Sequence, residues 1–357
     1  MPFVQAKCPE CGGMLAVDDS KKAAVCQFCG ESFIVQEAVN NYNTYNITNN
    51  NTTHNYGEGA VVNVYENTTQ DFVIEGGVLK KYQGASLTPV VPEGVVAIEG
   101  GAFKDSMITK VSLPTTLKEL RYVYISPNII GPFYGCKYLK EVNLPEGLKC
   151  IPAGCFRCCT SLTSIRVPES VTCIGSYAFY GCNSLKSIEI PNSVIDIGHY
   201  AFYDCSSLKS STLPDSITSI GESTFQGCVN LTLINIPKSV TYIGKTAFSH
   251  CENLTSVHIP MGVTTIDEMA FSGCKNLTSV HISMGVTTIR ALAFWGCTNL
   301  KTVMIPKSVT RIEEKVFEET LYQSERRKSK GLCQHCGGEL KGFLSKKCVK
   351  CGKPKDY

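Results

Sequence analysis

One pattern of apolar and polar positions, 23 residues long, governs the middle of the chain. In the copy beginning at Cys182, apolar residues fall at Leu185, Ile188, Ile190, Val194, Ile197, Ala201 and Phe202, and the next copy starts at Cys205. Ile188 and Ile190 alternate with a polar residue, which predicts a short strand with those two side chains inward. Pro191 ends the strand because it has no N–H to give a ladder. Val194 and Ile197 open a return side, and Ala201-Phe202 fill the core with one small and one large side chain. Cysteine returns at Cys136, Cys159, Cys182, Cys205, Cys228, Cys251, Cys274 and Cys297, and phenylalanine keeps the same interval from Phe133 to Phe317. Such a period predicts a solenoid in which each coil touches mainly its neighbours.

The template Leu185-x-x-Ile188-x-Ile190-Pro191-x-x-Val194-x-x-Ile197-Gly198-x-x-Ala201-Phe202 resembles the BspA-like, or Treponema-type, leucine-rich repeats. The resemblance covers roughly residues 72–320. It implies a mainly β, right-handed solenoid of about ten 23-residue units whose Leu-x-x-Ile-x-Ile strands form a concave parallel sheet. Units 251–273 and 274–296 are nearly identical, the mark of a duplication. Three departures stand out. About eight extra residues, Arg121–Asn128, are inserted in one return side as a loop carrying Tyr122, Tyr124 and Ile125. Ser211 replaces a core Ile or Val and is expected to be hydrogen-bonded, since a buried unsatisfied hydroxyl costs about 1–3 kcal/mol. Ser283 replaces the strand-ending proline.

Charged residues make up 18 % of the chain, below the usual ~25 %, which suits neutral Ser, Thr and Asn columns stacked in ladders. Net charge is only +3, but residues 326–357 hold 10 Lys/Arg against 2 Asp/Glu while residues 1–37 hold 3 against 5. No apolar run is long enough to span a membrane, and the first eight residues lack a signal-peptide core. The 20 cysteines would suggest a disulfide framework in an exported chain. Eight of them form a single column, however, where a coil spacing of roughly 4.8 Å exceeds the ~3.8 Å mean Cβ separation of a disulfide. The expectation is therefore a reducing, cytoplasmic setting, with the column packed as small apolar side chains and Cys150 and Cys173 stacked outside it.

Two cysteine quartets carry the metal chemistry. Cys8-x2-Cys11 and Cys26-x2-Cys29 have the spacing of a zinc ribbon, as do Cys333-x2-Cys336 and Cys348-x2-Cys351. A two-residue gap aims both sulfurs of a knuckle at one ion, and four thiolates close a tetrahedral site with no open position for catalysis. Two structural Zn2+ ions are expected. Cys155-x-x-Cys158 has the same short spacing, but Cys155 falls in the template's alanine slot, so coil packing competes there with a third metal site.

The domain boundaries that follow are an N-terminal zinc ribbon at 1–37, an Asn/Thr-rich linker or β segment at 38–71, the repeat solenoid at 72–325, and a basic zinc ribbon at 326–357. Residues 40–55 contain eight Asn and four Thr. Either a flexible linker or an Asn-laddered extended segment fits that composition. Ile312, Val316, Phe317 and Leu321 share one side of a helical pattern, which predicts a capping helix running into the basic Arg326–Lys330 linker.

The six histidines share no metal-binding spacing, no glycine-rich phosphate loop opens a helix, and an enzyme is not expected. The leading reading is an interaction scaffold that binds a protein partner on the concave face, with the ribbons as accessory docking modules. Between the last two core positions of successive strands stand Asn143, Arg166, Glu189, Thr212, Asn235, His258, His281 and Met304, a varied column. Arg166, Glu189, Asn235, His258 and His281 are the candidate partner-binding residues. Two alternatives remain at this stage: a nucleic-acid-associated protein anchored by the lysines of the C-terminal ribbon, and an exported surface adhesin, as many members of the resembled family are. Oligomeric state is not legible.

Overall fold

A computed structural model describes strand backbone at 3–7, 14–18, 23–25 and 32–34, then residues 71–330, and positions 340–341, 347–348 and 350. The chain divides into two compact units, Met1–Val64 and Tyr65–Tyr357. In the first, Phe3–Lys7 pairs antiparallel with Met14–Asp18, and Ala23–Val25 pairs antiparallel with Ser32–Ile34.

In the second unit, from Cys150 onward, equivalent residues of successive coils pair in parallel at an offset of 23. Ser187–Glu189 lies between Ser164–Arg166 and Ser210–Thr212, with Ile188 opposite Ile165 and Ser211. We call these strands the front sheet. The return strands are two residues long, as at Cys173–Ile174 against Asp196–Ile197. Even the turns are laddered: the amide of Phe156 donates to the carbonyl of Ala178, and that of Phe179 to Ala201, both at 2.8 Å. The backbone is therefore satisfied mainly by the next coil, and a constant repeat length makes that possible. The expected polar ladders are present as well, with the side-chain amides of Asn253, Asn276 and Asn299 each donating to the Asn one coil earlier.

Every apolar position of the template is buried, from Leu185 through Phe202. Phe103, Phe133, Phe156, Phe179, Phe202, Phe225, Phe248, Phe271, Phe294 and Phe317 form one stack with centroids 5.1 to 5.6 Å apart. Near-parallel rings at this distance combine area burial with favourable ring pairing.

The cysteine column holds more than packing. Each thiol is buried and donates to the carbonyl of a column phenylalanine, Cys136 to Phe103 at 2.9 Å and Cys182 to Phe156 at 3.1 Å. Burial pushes the Cys136 thiol up to about 12 and Cys182 well above its ordinary value, so these thiols stay protonated donors. Apolar packing alone misses that ladder, because it depends on where the preceding coils' carbonyls point.

Several sequence expectations need correction. Cys150 and Cys173 do not simply stack; they form a disulfide with Cα atoms 4.8 Å apart. In-register strands bring two Cα atoms inside the ~4.4–6.8 Å disulfide range, so coil spacing by itself does not keep neighbouring cysteines apart. The insertion is an antiparallel hairpin, Val123–Ile125 with Asn128–Ile130, rather than an irregular loop. The capping helix begins later than the pattern suggested, at Leu321–Ser329, because Phe317 still belongs to the ring stack. Thr320 caps the helix by accepting from the Gln323 amide at 3.0 Å, and Tyr322 packs edge-on against Phe317. Arg326 through Ser329 are thus helical rather than linker.

Ser211 is buried, yet its hydroxyl has no hydrogen-bond partner. It sits in register between Ile188 and Ile234. Replacing it with the neighbours' residue, Ser211→Ile, is expected to raise unfolding free energy by about 1–3 kcal/mol, read from urea denaturation. A loss of stability would show that the site is too tight for the larger side chain. Ser283, by contrast, uses the N–H that proline lacks, donating to Ile259 at 3.2 Å.

Candidate partner-binding face

The front strands are three or four residues long and alternate exposed, buried, exposed, as in Ser164-Ile165-Arg166 and Leu233-Ile234-Asn235. Burying the central residue against the leucine and phenylalanine columns turns its two neighbours outward. All five candidate residues, Arg166, Glu189, Asn235, His258 and His281, are exposed on this one face. Register places Glu189 beside Arg166, then Thr212, then Asn235. His258 and His281 are neighbours in the next run of strands, followed by Met304. The result is a column across the sheet rather than a convergent pocket.

Its electrostatics change along the column. Arg166 donates to the carboxylate of Glu146, one coil earlier, at 2.7 Å, even though Glu189 is its strand neighbour. Both partners are well exposed, so the pair contributes at most about 1 kcal/mol. Beside it lies a depression of about 460 Å³ lined by Arg166, Glu169, Glu189, Asn192 and Thr212. Farther along, the His258 and His281 rings stack at 4.7 Å. Partial burial, then the neighbouring His281, lowers the pKa of His258.

Sequence reasoning missed two residues on this face. Met261 and Met284 are 71 % and 73 % exposed at the ends of the His-bearing strands. The signal was present: equivalent positions carry Glu146, Glu169, Asn192, Asp215, Lys238 and Lys307, so two exposed methionines break a polar column. The face therefore runs from a charged half to a histidine and methionine half.

Of the proposed zinc ligands, Cys8, Cys11, Cys26, Cys29, Cys333, Cys336 and Cys351 lie outside the described residues. Cys348 ends the strand Lys347–Cys348, which pairs with Leu340–Lys341. The flanking backbone fits ribbon spacing. Pairing ends at Lys7 with Met14 and at Val25 with Ser32, so each Cys-x2-Cys of the first quartet falls between two antiparallel strands. Cys155 and Cys158 do not converge on a common site. Cys155 faces the core, while Cys158 occupies a left-handed position (φ 63°) that glycine fills in several other coils. Among the described residues, no group of three potential ligands is clustered.

The family described as BspA-type leucine-rich repeat region, in six copies, matches residues 98–228, 130–255 and 195–323. Together these matches cover more than half of the chain. The chain belongs to the BspA-type leucine-rich repeat family. No curated protein matches it significantly. Among solved structures, a leucine-rich repeat protein of Treponema pallidum is 31 % identical, covering 53 % of this chain and 90 % of that one at a TM-score of 0.47. A leucine-rich repeat protein from Bacteroides ovatus is 23 % identical over 70 % of this chain and 90 % of that one, with a TM-score of 0.42. A leucine-rich cell surface protein from Faecalibacterium prausnitzii has the same identity and coverage and a TM-score of 0.35. For this BspA-type protein, no helix among the described residues is long and apolar enough to cross a membrane.

Proposed function

We propose that this BspA-type repeat protein is a non-enzymatic scaffold that binds a protein partner on the front sheet, with structural zinc ribbons at both ends as accessory docking modules. The observation that carries the reading is the in-register column from Arg166 to His281. Its side chains vary along the sheet, with His258 and His281 the one repeated pair, while the core residue beneath them is Ile or Val in every coil except at Ser211. A rigid sheet holds these groups in place before binding, which limits the ordering entropy that association costs. The change from charged to His/Met character along the face gives a partner polarity and register. A cytoplasmic setting belongs to the same reading, because zinc ligation requires thiolates, with the Cys150–Cys173 disulfide the one oxidised pair among the described residues.

The test is to replace Arg166, Glu189, Asn235, His258 and His281 together by Ser and compare captured partners with those of a chain ending at Lys330, which keeps the capping helix. The five-site variant should fold with a melting curve near that of the parent, since exposed substitutions usually shift stability by no more than about 0.5 kcal/mol. Partner affinity should fall by about 2 kcal/mol or more, roughly thirtyfold. If the five-site variant keeps every partner while the shortened chain loses them, and nuclease abolishes the remaining capture, the basic C-terminus is the functional end.

A further inference from the structure

A second surface lies away from the front sheet, in the turns that follow the return strands. Their laddered backbone stacks equivalent side chains, and one column reads Tyr134, Arg157, Tyr180 and Tyr203. The Arg157 guanidinium is inserted between rings, 5.5 Å from Tyr134 and 5.0 Å from Tyr180, with Tyr177 of the adjacent column 5.3 Å away. Tyr180 stacks on Tyr203 at 4.7 Å, and Tyr177 on Tyr200 at 4.8 Å. All six side chains are partly exposed. Arg157 makes no ion pair among the described residues, and its Nε is buried without a hydrogen-bond partner.

We propose that this aromatic patch docks an acidic segment of a partner protein, with the Arg157 guanidinium as the anchor for its carboxylates. Arginine in a desolvated aromatic setting is the composition of an interface hot spot. Here aromatic rings surround the guanidinium, where other cations of the coils, such as Lys245 and Lys275, meet a carboxylate one coil away. The ring faces are occupied by one another and by the guanidinium. What reaches solvent is ring edge, which is electropositive, together with phenol hydroxyls that can donate, although that of Tyr200 already donates to Glu222 at 2.7 Å. Lys104 stands at one end, 5.9 Å from Tyr134 and 4.0 Å from the Asp105 carboxylate. Sugars and nucleobases bind aromatic side chains through ring faces, and those are not free in the middle of this stack. An acidic peptide needs only the edges and the guanidinium.

The probe is poly-L-glutamate bearing a terminal benzophenone, photo-crosslinked to the full chain and mapped by mass spectrometry. Crosslinks are expected within residues 134–226, with yield falling about tenfold or more in Arg157→Gln. Crosslinks to the basic residues 331–357 should persist and serve as the internal standard. Because Arg157→Gln could disturb the stack, Gln226→Glu is the second variant. It places a negative charge beside Tyr203 while keeping the acceptor that Gln226 offers the Ser223 hydroxyl. It too should lower the yield. Crosslinks confined to 331–357, or a yield unchanged in both variants, overturn the proposal. So does displacement of the probe by alginate more effectively than by unlabelled poly-L-glutamate of equal charge, which would point to an acidic carbohydrate.

Discussion

Protein purified without chelator is expected to carry two tightly held zinc ions, one on Cys8, Cys11, Cys26 and Cys29 and one on Cys333, Cys336, Cys348 and Cys351. The donor chemistry supports this: four thiolates in two knuckles form a closed tetrahedral site, and the first quartet's knuckles fall between paired antiparallel strands. Structural zinc supplies about 10–16 kcal/mol of apparent folding free energy in small finger peptides, so chelation should unfold both ends. The repeat coils should survive, because their stability comes from the buried Leu, Ile and Phe columns. Elemental analysis should return two equivalents, and replacing Cys26 and Cys29 by Ala should reduce this to one. Metal at trace levels, or chelation that melts the coils themselves, would defeat the expectation.

The second large effect is expected at the centre of the ring stack. Phe225 is fully buried, with neighbouring rings at 5.3 and 5.5 Å, so Phe225→Ala removes a large side chain and leaves both neighbours facing a void. A loss of about 3–5 kcal/mol should follow, since coils held by laddered backbone on every side cannot collapse into the gap. Phe317→Ala, at the end of the stack beside Tyr322, should cost less because Phe317 has only one phenylalanine neighbour. Urea unfolding of the two variants decides the order. A central variant no weaker than the terminal one would mean that stacking continuity is not what holds the coils.

The repeat made the solenoid legible before any coordinates. A period of 23 fixes which residues superpose, and apolar alternation fixes which of them face inward, so the Ile188 and Ile190 strand, the phenylalanine core and the exposed column from Arg166 to His281 all follow from the order of residues. The C-terminal helix was the exception near the edge of the pattern. Phe317 satisfies both a helical spacing and the coil period, and only packing against Phe294 decides for the coil.

By itself, then, the sequence determined the repeating unit, the inward and outward sets of side chains and the quartet spacing, because these depend on intervals along one chain. Tertiary structure alone decided the relations between coils, because those depend on where backbone carbonyls and neighbouring side chains lie across a gap of one strand spacing. The thiols of the cysteine column donate to phenylalanine carbonyls. Cys150 reaches Cys173, whereas the column thiols, each in the same relation of sequence to the next, remain free. Ser211 finds no partner, and Arg157 comes to rest between Tyr134 and Tyr180 rather than beside a carboxylate. An interval of 23 residues says that two side chains are neighbours; it does not say which way each turns or what it meets there.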